Sequence, residues 1–140
     1  MLLTIEKVMV LKSVSIFSGV PDEVLADLAS LMEEMEIPKE TCVYDKGDPG
    51  GTMYIIVDGG VRVHDGDRTY VNLGERDFFG ELTTLDPEPQ MAAVTANEDT
   101  RLLGLNGDVL YELMSDHAEV LRGIIQVLCK RLRRKKTERW

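Results

Sequence analysis

Two cysteines and two histidines are all that this 140-residue chain offers for disulfide or metal chemistry. Cys42 and Cys129 are too few for a disulfide framework and show no metal-ligand spacing, which points to a reducing, cytosolic setting. His64 and His117 stand 53 positions apart, so the converging histidines and carboxylates of a metal oxygenase are not expected. No Ser–His–Asp or Cys–His arrangement stands out either, and an enzyme is not expected. No apolar run approaches the roughly 18 residues that span a bilayer. The opening Met1-Leu2-Leu3-Thr4-Ile5-Glu6 carries an early acid and no small-residue cleavage site, so no signal peptide is read there.

Positive charge is scarce in the body of the chain. The formal net charge is −9, yet seven of the 16 basic residues fall in the last eleven positions, with Glu138 as the one acid among them. Met1 to Cys129 therefore holds nine bases against 24 acids, a balance of −15. Such a body repels polyanions, so direct nucleic-acid binding is not expected. The basic tail from Lys130 to Arg139 suits an acidic partner, or more simply complements the dipole at a helix C-terminus.

What is present has a clear order. Leu3, Ile5, Val8, Met9 and Leu11 recur at helical spacing, and Gly19 and Pro21 interrupt it. Pro21, Asp22 and Glu23 suit a helix start, and Val24, Leu25, Leu28, Leu31 and Met32 mark its buried face. From Glu40 to Asn106 the period changes to short β-branched or aromatic runs: 41–44, 53–57, 61–64, 69–73, 92–95 and 101–105. Asp58-Gly59-Gly60 and Asp65-Gly66-Asp67 read as tight hairpin turns. Helical spacing returns with Val109, Leu110 and Leu113, then with a longer helix from about Asp116 to Lys135 in which Gly123 is a mild weak point. Leu121, Ile125, Leu128 and Leu132 form a coiled-coil seam there, beside a second stripe of Val120, Ile124 and Val127. One stripe must pack on the sheet, which leaves the other for a partner helix and a possible homodimer. The pattern is a mixed α+β, mainly β domain, a closed or rolled antiparallel sheet with helices at both ends.

The stretch richest in chemistry is Asp77-Phe78-Phe79-Gly80-Glu81-Leu82-Thr83-Thr84-Leu85, followed by Pro89-Gln90-Met91-Ala92. A glycine leads into a short helical turn whose free amides attract an anion. The carboxylate of Glu81 follows at once and, when ionised, only accepts hydrogen bonds, which suits a sugar hydroxyl. Its ordinary alternative is to cap backbone donors near the helix start.

Together with Ile37-Pro38, Gly47-Asp48-Pro49-Gly50-Gly51-Thr52-Met53-Tyr54 and Gly60-Val61-Arg62-Val63, this stretch resembles the cyclic nucleotide-binding domain family, from about Ile16 to Leu132. Members include protein kinase A regulatory subunits and bacterial catabolite activator proteins. The resemblance implies an eight-stranded antiparallel β-roll of the double-stranded β-helix or jelly-roll type. It divides one domain, 1–140, into N-terminal helices (1–36), the roll (37–106) with a phosphate-binding cassette (79–91), and C-terminal helices with the basic tail (107–140). By motif, Phe79, Gly80, Glu81, Leu82, Thr83, Gln90 and Met91 are the candidate ligand residues. Gly80 and the amides of Leu82 and Thr83 would face a cyclic phosphate, and Glu81 would take the ribose 2′-hydroxyl.

Gln90 stands where the family has a phosphate-forking arginine, and Met91 where the family usually has a small residue. Losing a charge-assisted contact of about 1.5–3 kcal/mol weakens binding about ten- to a hundredfold or more. Asp86 and Glu88 add like charge in the same loop, and Arg76 is the nearest substitute cation. Glu40 also stands where the family usually has glycine. Core packing is the ordinary role of Met53, Met91 and Phe78-Phe79, loop bonding that of Gln90, strand exposure that of His64, and small buried hydrophobe that of both cysteines.

Two functions follow. One is a regulatory sensor that binds cAMP, cGMP or a related small anion weakly and signals through its C-terminal helices to an effector domain or a separate protein. The other is a degenerate fold that binds no nucleotide and acts as an interaction or dimerisation module. A DNA reader is not expected within these 140 residues, since no helix-turn-helix follows the long helix; either the chain is a fragment or its effector is a separate protein.

Overall fold

The computed structural model describes residues 1–86 and 88–139, without the side chains of Leu82 and of 135–139, so the tail cations Lys135, Lys136 and Arg139 lie outside the described side chains. Helix α1 (Thr4–Ser13), a 3₁₀ turn (Ser15–Phe17) and helix α2 (Asp22–Ser30) lead into the strands. These are β1 (Glu33–Ile37), β2 (Cys42–Tyr44), β3 (Thr52–Asp58), β4 (Val61–Asp65), β5 (Arg68–Leu73), β6 (Phe78–Phe79), β7 (Ala93–Ala96) and β8 (Thr100–Asn106). A short helix α3 (Glu81–Leu85) joins β6 to β7, and α4 (Gly107–Asp116) and α5 (Ala118–Arg139) close the chain.

The strands form two four-stranded antiparallel sheets, ordered β1-β8-β3-β6 and β2-β7-β4-β5, the eight-stranded roll that the family resemblance implied. Successive strand side chains point to opposite faces, and here both faces of the first sheet are covered. Met53, Ile55 and Val57 of β3 and Leu103 and Leu105 of β8 meet the helices, packing with Leu11, Phe17, Leu25, Leu110 and Ile124. Ile56 and Leu102, one residue out of phase, face the roll interior with Val61, Phe79 and Val94. Each such side chain taken fully from water contributes roughly 1.5–3 kcal/mol.

Two strands lie outside the runs read from the sequence. β1, Glu-Glu-Met-Glu-Ile, begins inside the segment assigned to the N-terminal helices and is poor in strand-forming residues. It is an edge strand, where charge is tolerated and blunts edge-to-edge pairing. Arg101, directly opposite Glu36 on β8, reaches its carboxylate at 3.2 Å. β6 has two residues, too few for any periodicity.

Asp58-Gly59-Gly60 is not a hairpin, because β3 and β4 lie in different sheets and the turn carries the chain between them. Gly59 has φ 91°, and a Cβ there would fall 2.5 Å from the Thr100 hydroxyl and 2.7 Å from the Asp99 carbonyl. The Asp65-Gly66-Asp67 turn does close a hairpin, with Asp65 opposite Arg68. Leu31, read as core, caps α2 and is exposed, while Met32 turns inward. Glu40 adopts φ 65°, the left-handed conformation that accounts for glycine at this place in the family.

Cys42 is exposed rather than a buried hydrophobe, and Cys129 is half-buried. His64 is half-buried, its ring nitrogens 2.8 Å from the Gly66 carbonyl and the Thr95 hydroxyl, so it is not a free strand residue. No helix among the described residues is long and apolar enough to cross a membrane.

Gly123 is a contact point rather than a weak one. A Cβ there would lie 3.0 Å from Ile16 Cα, so glycine lets α5 approach the backbone of the 3₁₀ turn. Of the two stripes on α5, Val120 and Ile124 are buried, with Val127 and Leu128 partly covered. Leu121, Ile125 and Leu132 are 41%, 51% and 69% exposed, so three of the four seam positions face solvent.

Candidate functional site

β6 ends in Phe79, and Gly80 turns the chain into α3 with φ 82°. Its Cα hydrogen sits against β3: a Cβ in its place would lie 2.5 Å from the Thr52 carbonyl. The Gly80 carbonyl then closes the first turn of α3, accepting from the Thr84 amide at 3.3 Å and from the Thr83 and Thr84 hydroxyls at 3.1 and 2.9 Å. The glycine is therefore needed both for its φ and for the close approach.

Glu81 heads this helix and is only 4% exposed, on the wall of a cavity of about 720 Å³. Phe79, Gly80, Thr83, Gln90 and Met91 line the same cavity, so six of the seven candidate residues come together around it. The seventh, Leu82, contributes its helical backbone, and its side chain lies outside the described residues. Phe79 is buried and stacks on Tyr54 with ring centroids 5.1 Å apart, and Tyr44, which lines the cavity with Phe79, lies 6.1 Å from both rings. Met53 and Phe78 are core residues as expected, but Met91 is 75% exposed on the rim.

Gln90 is buried and does not bond a carbonyl with its side chain. Its amide nitrogen donates to the Thr83 hydroxyl at 3.2 Å, while its backbone exchanges bonds with the Gly47–Asp48 loop at 2.8 and 2.9 Å. The side chain thus ties β7's approach to α3, and supplies no charge.

The cation nearest Glu81 comes from a distant part of the chain. Arg131 on α5 pairs with the Glu81 carboxylate and donates to the Phe78 carbonyl at 3.1 Å, with its guanidinium 5.2 Å from the Phe78 ring centre. Burial pushes the Glu81 carboxyl above the usual carboxylate range, and the Arg131 charge opposes that shift. The Tyr44 phenol is raised as well, by burial first and by the Glu81 charge second. Arg68 on β5 and Arg134, one turn beyond Arg131, also line the cavity. Arg76 does not: its guanidinium donates to the Val57 carbonyl at 3.0 Å, so it brings no charge to the cavity.

This arrangement of roll, glycine-led short helix and buried glutamate coincides with a family model. Residues 34–117 match the cyclic nucleotide-binding domain. The chain belongs to the cyclic nucleotide-binding domain family. Among its relatives is the CRP-like cAMP-activated global transcriptional regulator of Mycobacterium tuberculosis, 32% identical over 130 residues, which cover 89% of this chain and 58% of that protein. The chain therefore spans little more than half of that relative. Solved structures agree. The catabolite activator protein of Thermus thermophilus superposes with TM-score 0.79 at 28% identity, covering 89% of this chain and 61% of that one. The regulatory domain of Toxoplasma gondii protein kinase A, solved with cAMP, gives TM-score 0.70 at 27% identity, covering 78% and 43%.

As a member of this family the chain is a regulatory-type domain. No arginine follows the cassette helix on β7; the guanidinium groups arrive from β5 and α5. Arg131 and Arg134 belong to the basic stretch read from sequence as a soluble helix end. Helical spacing marks Arg131 from its basic neighbours, since it continues the Val120-Ile124-Val127 stripe, but only the return of α5 across β6 brings it to Glu81. Among the described residues no cluster of histidine, cysteine or carboxylate could hold a metal ion.

Proposed function

We propose that the domain is a regulatory sensor whose cavity takes cAMP, cGMP or a related small anion, weakly for want of an arginine at Gln90. The observation that carries this reading is that the carboxylate proposed to meet the ligand already pairs with the output helix. Glu81 is the acceptor for a ribose hydroxyl, and Arg131 of α5 already holds it. A ligand that engages Glu81 competes with Arg131, so binding loosens the far end of α5. Linkage then works both ways: whatever partner holds α5 in one position changes ligand affinity by the same factor. The effector is a further domain or a separate protein, and the acidic body argues against direct nucleic-acid contact.

Calorimetric titration of the wild type and of Gln90→Arg with cAMP and cGMP tests it. The restored charge-assisted contact is expected to tighten binding by about ten- to a hundredfold. No heat from either protein at millimolar nucleotide overturns the reading.

A second reading has its own observation. The exposed stripe of Leu121, Ile125 and Leu132 on α5 suits a second copy of the domain, and an interaction module needs no ligand. Sedimentation that stays monomeric across a wide concentration range removes it.

A further inference from the structure

Four charged side chains line the cavity among the described residues: Arg68, Arg131 and Arg134 against the single carboxylate of Glu81. Arg131 and Glu81 neutralise each other in direct contact. Arg68 lies over the Tyr70 ring at 5.4 Å, and neither it nor Arg134 is in an ion pair among the described residues. Asp65, the partner of Arg68 across the β4–β5 hairpin, feels its charge but is held by Lys46 at 2.9 Å. The space therefore carries an excess of two positive charges at its mouth and none at Gln90. Its volume of about 720 Å³ also lies in the upper part of the range of roughly 300–1,000 Å³ usual for small-molecule sites.

A cyclic mononucleotide has one phosphodiester and one negative charge, which would balance half of that excess. We propose that this cavity selects nucleotides carrying at least two negative charges, with one phosphate at the Gly80 turn and the second between Arg68 and Arg134. The inference rests on the cavity being a nucleotide site, as proposed above, and adds the class of ligand. The specificity comes from guanidinium groups, whose planar forks match phosphate oxygens in pairs. Because Arg68 and Arg134 are exposed, each contact is worth only about a fivefold change in affinity and is screened by salt.

The test is calorimetric titration of the 140-residue chain with cAMP as the monoanion, and with 5′-AMP, cyclic di-AMP and cyclic di-GMP as dianions. At least one dianion is expected to bind about tenfold or more tightly than cAMP, with the advantage shrinking in high salt. The double variant Arg68→Gln, Arg134→Gln changes only exposed side chains, and its melting curve checks that the fold is intact. It is expected to lower dianion affinity by about tenfold or more and to leave cAMP within about threefold. If cAMP binds as tightly as every dianion, or if the double variant leaves dianion affinity unchanged, the inference is overturned while the nucleotide site stands. If no nucleotide binds at millimolar concentration, the site itself is overturned with it.

Discussion

Between Val120 and Ile124, helix α5 lies against the 3₁₀ turn with those two side chains buried and Gly123 in near contact with Ile16. Seven residues past Ile124 the same helix is held by Arg131, through a carboxylate and a backbone carbonyl. The first attachment is non-directional burial, which no small ligand can outcompete. The second is a polar contact at a cavity wall, made to the carboxylate proposed above to meet a ligand. Val120, Ile124, Val127 and Arg131 share one face of α5, so the helix has an anchored half and, on the proposal above, a releasable half, and the boundary follows from the change from apolar to polar contacts along that face.

The sharpest way to break this comparison uses neighbours in sequence. Ile124→Ala removes a side chain that is 1% exposed and is expected to cost about 2–5 kcal/mol in urea unfolding. Ile125→Ala, at a position 51% exposed, is expected to change stability by less than about 0.5 kcal/mol. Equal losses from the two would remove the distinction.

Arg131→Gln probes the releasable half. It leaves the buried Glu81 carboxylate without its counter-charge, at a cost of about 1–2 kcal/mol once the partial exposure of the guanidinium is discounted. The pH dependence has a definite sign. Burial raises the folded pKa of Glu81, so on acidification the folded state takes up this proton before the unfolded state does. The cost of the unpaired carboxylate therefore exists where Glu81 is ionised and disappears as pH falls through its folded pKa. Since Arg131 opposes the rise, its loss moves that pKa further up. A carbon-detected NMR titration of the Glu81 carboxyl in both proteins measures the shift, and an unchanged or lower pKa in the variant contradicts the pairing.

The smallest effect on stability belongs to Leu132→Glu, at a position 69% exposed. Unfolding is expected to change by less than about 0.5 kcal/mol, while any concentration-dependent association in sedimentation is lost. Association that survives the substitution places the interface away from this stripe.

Much of the scaffold was legible because its elements are locally consistent. Gly and Pro bracket the helices and strands, and β3 and β8 carry runs that only a sheet covered on both faces would bury. The misses have equally physical causes. β1 is stabilised by its place at an edge and by Arg101 across the ladder, neither of which shows in Glu-Glu-Met-Glu-Ile. Asp58-Gly59-Gly60 has the composition of a hairpin, but whether the following strand pairs with the preceding one depends on how the roll closes. The turn of Gly80, Glu81 and the short helix could be found by motif, since its parts are contiguous. The three guanidinium groups that line the same cavity could not be assembled that way, because they come from β5 and α5.

By itself the sequence determined the order of helix, roll and helix, the glycine-led turn at Gly80, the carboxylate beside it and the uncharged Gln90. All of these are set by neighbours within a few residues, through backbone conformation and side-chain chemistry. The tertiary structure alone decided that Arg131, 50 residues from Glu81, is its partner, that Arg68 and Arg134 share the cavity, and which stripe of α5 meets solvent. Charges act through space, and what lies near what is settled only when burial of the apolar faces has set the path of the chain.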